Sequence, residues 1–408
     1  MFTKKNTLQI KGIAAIFMLC HHLFFFHERI PINSDTTTGI VISQWDLIDI
    51  IGAFGKLCVA LFMFLGGYGL YCSYESTCKD SSGEKAGGFL LKRIIRLYKG
   101  YWKVFLIFIP IGFLFFNNQQ AISGDDFLAG AFSHFDMKNV IVNFSLAQSN
   151  INREWWFYKA YLFALFLSLV FIQMFRNKKK IYVEFFTVTL FIMVTRCVLP
   201  FLANREGLGL RDNFWYSNMI NIDESAVVMM SGVIFAKYSV FKGWRGMLER
   251  FSAAEKLIIA LVSIAAMAYM RTFILPIYTD VFTAPLFITA ALLITDTFRP
   301  VGAAFSFVGK YSTGIWLTHT FYCYYFIPFA RFIYRFDSPI AAFLITFVLS
   351  LVTAILLELF WKYLFIGLKK DRRKLLDLCT GKGIEEAPDE STEAEAPAKE
   401  KAKAAAAK

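Results

Sequence analysis

Long apolar segments recur along almost the whole chain, and each is long enough to cross a lipid bilayer. About 20 apolar residues in a helix span the hydrocarbon core, and a helix keeps its backbone polar groups paired there. We identify about ten such segments by length and apolar content. They cover residues 8–27, 52–73, 94–116, 156–175, 181–202, 222–238, 255–275, 281–297, 309–331 and 340–366. The pattern predicts an all-α fold, a polytopic transmembrane helical bundle of about ten spans.

Composition and charge agree with a membrane protein. Hydrophobic residues make up 57% of the chain, and 46 residues are Phe. The net charge of +12 is concentrated in alternate connecting segments, among them "RNKKK" and "KKDRRK". Because positive residues favour the cytosolic side of a membrane, this distribution places both termini in the cytosol. Topology and contact with the lipid bilayer explain the charge, which requires no nucleic-acid partner.

The sequence divides into a membrane domain and a tail. Residues 1–370 hold the apolar segments and form the predicted transmembrane domain, whereas residues 371–408 are charged and rich in Ala. Such a composition cannot bury an apolar core, so we expect a disordered cytosolic tail. The seven cysteines are scattered and show neither a zinc spacing nor a disulfide framework, so no metal site is predicted.

Three ionisable residues interrupt the first apolar segment, "LQIKGIAAIFMLCHHLFFF". Eleven residues separate Lys11 from His22, which returns a helix to within about 20° of the same face, about 17 Å farther along its axis. His21 points well away from that face. Ionisable groups at membrane depth indicate function, although snorkelling to lipid headgroups is an equal alternative for Lys11. A structural role is the alternative for His22, and the face shared with Lys11 favours function.

Two further stretches carry polar groups. In "FLLKRIIRLYKGYW", Arg93 and Arg96 are neighbours on a helix, and Lys92 begins a second, overlapping stripe of positive charge. Guanidinium groups clamp phosphates, although on this motif alone a charge cluster that sets membrane orientation is favoured. His319 lies within "VGKYSTGIWLTH", where a packing role is favoured over a catalytic one.

Five motifs in this chain resemble, in the same order, those of the acyltransferase-3 family of integral membrane acyltransferases, which acylate bacterial cell-surface sugars. They are "IKGIAAIFMLCHH", "VALFMFLGGYGL", "FLLKRIIRLYKGYW", "NREWWFYKAYLF" and "VGKYSTGIWLTH". The resemblance covers roughly residues 5 to 368. Lys11 stands where many members have Arg, and Ala60 stands where Asp is common.

The resemblance implies an acyltransferase that moves an acyl group, with acetyl as the expected group, from cytosolic acyl-CoA to a sugar hydroxyl. His22 would act as the general base or as a transient acyl carrier, with Lys11 beside it in the site. Arg93, Arg96 and Lys92 would bind the phosphates of the donor. Acetyl-CoA would be a substrate, and no tightly bound cofactor is expected.

The acceptor implied by the resemblance is a cell-surface polysaccharide or a lipid-linked sugar, reached from outside the bacterial cytoplasmic membrane. Glu154, Trp156, Asp46 and Asp49 are of types that suit carbohydrate binding and fall in or next to the long outer loops. A transporter with a buried Lys/His pathway is the main alternative. A membrane scaffold that has lost activity is a third.

Overall fold

The structure, a computed structural model, describes residues 2–379 except 32–33, 35, 43, 79–82, 178–179, 204–213 and 275–278. Its α-helices are α1 (Lys4–Phe24), α2 (Leu47–Gly55), α3 (Leu57–Cys78), α4 (Gly83–Phe115), α5 (Asp126–Gly130), α6 (Met137–Phe144), α7 (Trp156–Met174), α8 (Ile181–Met193), α9 (Leu199–Ala203), α10 (Phe214–Lys237), α11 (Val240–Leu248), α12 (Ala253–Phe273), α13 (Asp280–Thr297), α14 (Arg299–Thr320), α15 (Ile327–Tyr334) and α16 (Pro339–Cys379). Short 3₁₀ turns cover His27–Arg29 and Arg153–Trp155, and π-helical segments cover Val194–Val198 and Phe321–Tyr325. Strands β1 (Val41–Ile42) and β2 (Trp45–Asp46) pair antiparallel in a short hairpin.

The helices confirm an all-α membrane protein. Among the described residues, 7 helical stretches are long and apolar enough to cross a membrane, or up to 8 if α10 and α11, bent by 68°, form one span. Every predicted span falls on a helix, but α8 is short and α14 is not among the stretches that meet this test. The count of ten and the cytosolic placement of both termini stay predictions.

The outside of the bundle is apolar, as contact with lipid requires. In α12, Ile258, Leu261 and Val262 are all more than half exposed. In α16, Leu344 and Val348 are exposed in the same way. Such surfaces would be unfavourable in water, and they identify the helix faces that meet the hydrocarbon core.

Glycines let α1 and α14 approach each other closely. A Cβ atom added to Gly12 would lie 2.0 Å from the carbonyl oxygen of Phe305, and one added to Gly309 would lie 1.9 Å from the carbonyl oxygen of Leu8. Small residues at such a crossing allow backbones to pack directly. The two helices run in the same direction, because the rings of His22 and His319, ten residues beyond these glycines, also meet.

Two buried ion pairs join the ends of other helices. Arg271 donates to both carboxylate oxygens of Asp280 at 2.9 Å and to the carbonyl of Ala53 at 3.1 Å, which ties α12 and α13 to α2. Glu184 of α8 pairs with Lys237 at the end of α10. Each charge is neutralised locally, as buried charges must be.

The connection between α4 and α7 packs along α4. Tyr98, Tyr101 and Trp102 donate hydrogen bonds to backbone carbonyls at positions 145, 143 and 144. These bonds hold the end of α6 and Ser145 against α4, and the 3₁₀ turn that carries Glu154 follows later in the same connection.

The chain divides into two compact units, residues 1–357 and 358–408. The first contains α1 to α15 and the first part of α16. In the second, helix is described as far as Cys379, so residues 371–379 of the predicted tail are helical. The rest of that tail lies outside the described residues, and its predicted disorder stays a prediction.

Candidate active site

A cavity of about 350 Å³ lies beside the C-terminal end of α1. Its polar wall consists of His21, His22, Arg29, Lys56, Arg153 and Glu154. Aromatic rings, among them Trp156 and Trp316, supply much of the remainder. Apolar walls with a few convergent polar groups are typical of sites for small molecules. Three residues predicted as site residues from the sequence, His22, Glu154 and Trp156, therefore come together here.

His22 presents an imidazole to this cavity. Its backbone carbonyl accepts a hydrogen bond from the hydroxyl of Tyr324, and its ring stacks on Phe26 with centroids 5.8 Å apart. Nδ1 is buried and has no hydrogen-bond partner among the described residues. Nε2 is therefore the nitrogen that remains available to the cavity.

His21 has a different environment, although it also reaches the cavity wall. Its Nδ1–H donates to the carbonyl of Gly52 at 2.9 Å. A Cβ atom added to Gly55 would lie 3.0 Å from the backbone nitrogen of His21, so α2 packs closely against this turn of α1. The buried hydrogen bond gives His21 a role in joining α1 to α2.

His319 lies behind His22 and is fully buried. Its Nδ1–H donates to the carbonyl of Trp316 at 2.7 Å. The rings of His22 and His319 have centroids 5.0 Å apart. Nε2 of His319 is buried without a hydrogen-bond partner among the described residues. One ring nitrogen of His319 is therefore hydrogen-bonded and the other is not.

The π-helical segment that follows α14 carries two buried tyrosines that contact residues of the cavity wall. Tyr324 caps the carbonyl of His22, and Tyr325 donates from its hydroxyl to Glu154 Oε2 at 2.8 Å. A π-helical segment shifts the side chains that follow it relative to an α-helix and often occurs at functional sites. The sequence interpretation missed both tyrosines, for which the aromatic run "FYCYYF" is the available signal.

Arg29 and Glu154 form a buried ion pair in the cavity wall. Arg29 Nη1 lies 2.5 Å from Glu154 Oε1, and the exposed fractions of the side chains are 12% and 6%. Burial acts to lower the pKa of Arg29, but the Glu154 carboxylate outweighs it and raises the pKa above its ordinary value. The guanidinium lies over the ring of Phe26, 4.4 Å from its centroid. Arg29 was not predicted as a site residue.

Comparison with known proteins identifies the family. A model of the acyltransferase-3 family, described as an acyltransferase domain, matches residues 9–359. The chain belongs to this family. No curated protein and no solved structure matches the chain.

The match runs from within α1 through α15 and into α16, so the cavity lies within the acyltransferase-3 domain. This family consists of membrane acyltransferases, and the reaction requires an acyl donor and an acceptor. A base that removes the acceptor's proton accelerates acyl transfer, and an imidazole open to a cavity can fill that role.

The cationic stretch of this acyltransferase-3 protein lies apart from the cavity. Arg93 is half-buried and donates to the carbonyl of Gly69 at 2.8 Å. Arg96 and Lys92 are exposed. Phe62, on the cavity wall, lies seven residues before Gly69 in α3, so Arg93 contacts α3 about 10 Å farther along its axis.

Three other predicted residues do not line the cavity. Lys11 is half-buried in α1, about 17 Å from His22 along the axis. The Asp46 carboxylate caps α2 by accepting from the backbone N–H of Ile48 at 2.9 Å. Asp49 lies 3.0 Å from Nε2 of His27. Within the part of the chain that the structure describes, no His, Cys, Asp and Glu side chains group in a way that could hold a metal ion.

Proposed function

We propose that this acyltransferase moves an acetyl group from acyl-CoA on the cytosolic side of a bacterial cytoplasmic membrane to a hydroxyl of a cell-surface or lipid-linked sugar. The observation that carries the proposal is the open imidazole of His22 in a cavity that also holds Glu154 and Arg29. The cavity combines a base with groups that can orient a hydroxyl-bearing acceptor.

His22 would act as the general base. Its Nε2 takes the proton of the acceptor hydroxyl as the oxygen attacks the thioester carbonyl. The carbon–sulfur bond then breaks, and the proton passes from His22 to the sulfur of the leaving thiolate. A variant of this route has Nε2 attack the thioester first and carry the acyl group before the sugar accepts it.

The donor would be bound by the cationic stretch of α4. Arg93, Arg96 and Lys92 suit the phosphates of a nucleotide, because guanidinium groups form paired hydrogen bonds with phosphate oxygens. A thioester on a long, flexible arm can bridge the distance of about 10 Å between the Arg93 contact and the cavity wall. Lys11 would contribute positive charge on the donor side of His22.

The acceptor would bind at the mouth of the cavity. Trp156 is 41% exposed there and offers an apolar face to a sugar ring, while the Glu154 carboxylate can accept from sugar hydroxyls. Asp46 and Asp49 would contact a longer acceptor, since they lie in and after the β1–β2 hairpin.

The proposal is tested by acetyl-CoA turnover in liposomes that contain the purified protein and bacterial envelope sugars. Release of CoA should fall at least about 100-fold in His22→Gln, because general-base catalysis is lost. His134→Gln is the matched control, since His134 is exposed and lies outside the cavity. If the wild type neither turns over nor binds acetyl-CoA, the proposed acyl-CoA donor is wrong, and a transporter becomes the better hypothesis.

A further inference from the structure

A second histidine stands behind His22 in an arrangement that a packing role does not explain. His319 is 0% exposed, and its Nε2 has no hydrogen-bond partner among the described residues. Nδ1 of His22 is unsatisfied in the same way. Leaving a buried polar atom unpaired costs free energy, and buried polar groups are normally hydrogen-bonded. Two such atoms on adjacent rings therefore call for a common explanation.

The hydrogen bond from His319 to its own helix fixes the chemical state of the ring. Nδ1 lies 2.7 Å from the carbonyl of Trp316, and a carbonyl can only accept, so Nδ1 carries the proton. In the neutral imidazole Nε2 is then an acceptor. The atom of His319 that lacks a partner is consequently one that needs an N–H group.

The neighbouring ring can supply that group. The two nitrogens are not bonded to each other in the structure, but the ring centroids lie 5.0 Å apart, and because the nitrogens lie on the perimeter of each ring, reorientation of the His22 ring would allow an N–H···N hydrogen bond of about 3 Å. If Nδ1 of His22 carries the proton, it satisfies His319, and Nε2 of His22 becomes the unprotonated nitrogen on the cavity side. That is the state a general base requires.

We infer that His319 is a positioning residue for His22, and that in the active enzyme the Nδ1–H of His22 donates to Nε2 of His319. The bond selects the tautomer of His22 and aims its Nε2 at the acceptor hydroxyl. When Nε2 takes the proton of that hydroxyl, His22 becomes positively charged, and the bond to His319 strengthens. His319 itself gains and loses no proton. This inference rests on the proposed function of His22.

Three substitutions at position 319 separate positioning from packing. His319→Phe keeps a ring but removes both nitrogens. His319→Asn keeps a donor near the position of Nδ1 and does not reach the position of Nε2, whereas His319→Gln places an amide oxygen there as an acceptor. We expect kcat to fall at least about tenfold in the Phe and Asn variants, as when other partners that orient a catalytic imidazole are removed. KM for acetyl-CoA should change less than about twofold, and Gln should restore most of kcat.

Two results would overturn the inference. Wild-type kcat in His319→Phe would show that the ring only packs. An equal loss in all three variants that retain the wild-type size-exclusion profile and unfolding temperature would show that shape, and not an acceptor at Nε2, is required.

A measurement that needs no turnover separates this inference from the proposed function. The chain has 5 His, so ¹⁵N-histidine NMR of the protein in nanodiscs can be assigned with single substitutions. At alkaline pH, where the rings are neutral, His22 should be protonated at Nδ1 and should lose this preference in His319→Phe. A tautomer of His22 that stays unchanged would exclude the hydrogen bond even if acetyl-CoA turnover is confirmed. If the tautomer changes but the wild type has no turnover, the pair exists and the proposed function is wrong.

Discussion

The C-terminal end of α1 and the cationic stretch at the start of α4 both carry residues that the sequence marks as functional, yet the structure organises them differently. Around His22, tyrosine hydroxyls bind its backbone carbonyl and the Glu154 carboxylate, and that carboxylate also forms a buried ion pair with Arg29. Along α4, Arg93 has a partner in α3, but Arg96 and Lys92 extend from the surface. Catalytic groups must be held in position before the substrate binds, whereas side chains that bind a charged part of a substrate can become ordered on binding.

The largest effect on stability is expected when one partner of the buried Arg29–Glu154 ion pair is removed. Arg29→Met should lower the free energy of unfolding by about 3–5 kcal/mol, because Glu154 keeps a buried charge without compensation. Denaturant unfolding in detergent measures this loss. Arg153→Met is the control, since Arg153 is 44% exposed and pairs with Asp125 at 3.0 Å, so its loss should cost at most about 1 kcal/mol. Equal losses in the two variants would contradict the difference in burial.

The glycine crossing offers a smaller but more selective test. Gly12→Ala should destabilise the protein by about 1–3 kcal/mol, since the new methyl group meets the backbone of Phe305 and α1 must move away from α14. Gly87→Ala is the matched control, because nothing lies within 4 Å of its added Cβ. Acetyl-CoA turnover and the unfolding temperature should fall together in Gly12→Ala alone. Unchanged turnover in a destabilised Gly12→Ala would show that the crossing does not set the position of His22.

Substitutions in the cationic stretch test whether its residues bind the donor without contributing much to stability. Arg96→Gln should raise KM for acetyl-CoA by about tenfold, about 1.4 kcal/mol, while stability changes by less than about 0.5 kcal/mol. Added salt should reduce the difference, since exposed charges are screened. Arg93→Gln should weaken the donor in the same way and also lower the unfolding temperature, because the bond to Gly69 is lost. A change in kcat without a change in KM would contradict a role in donor binding.

Substitution of Asp46 is expected to lower the free energy of unfolding less than loss of the buried ion pair or a methyl group at the glycine crossing. Burial raises the pKa of Asp46, but hydrogen bonds from Ile48, Thr38 and Gly39 outweigh it and hold the pKa below its ordinary value. The stabilisation from these hydrogen bonds is therefore fully present above the unfolded-state pKa of Asp46, about 4. It is lost as the pH falls through the pKa of Asp46 in the folded state. Asp46→Ala should cost about 1 kcal/mol at neutral pH, as for other helix N-caps. Asp46→Asn should keep the cap and lose the acid dependence.

The same variants test the acceptor role that the sequence suggests for Asp46. A KM for the sugar acceptor that stays unchanged in Asp46→Asn would assign this carboxylate to the fold. A large increase in KM with unchanged stability would assign it to sugar binding, contrary to the hydrogen bonds that its oxygens already make.

Local sequence patterns were sufficient to predict the helices and the family. Apolar runs of helical length specify membrane spans wherever they occur. The geometry of a single helix did not separate the two histidines, since both His21 and His22 line the cavity and Lys11 does not. Five motifs in order were sufficient to identify the family, which its model confirms over residues 9–359.

The surroundings of His22 could not be predicted in this way. Arg29 and Glu154 are 125 positions apart, and Tyr324 reaches the carbonyl of His22 across 302 positions. Such contacts depend on how whole helices pack, and a lone charge or tyrosine carries no local signal of its partner. The position of the His319 ring relative to His22 could not be predicted either, since it follows from the pairing of α1 with α14.

The equal spacing of the glycines and the histidines gives the α1–α14 pair a mechanical property. The helices cross at Gly12 and Gly309. From this crossing, each helix extends about 15 Å to an imidazole, His22 in α1 and His319 in α14. A tilt of about 2° at the crossing displaces an imidazole by about 0.5 Å, the tolerance within which catalytic groups must be held. A change in bilayer thickness that tilts either helix would therefore move the two imidazoles relative to each other.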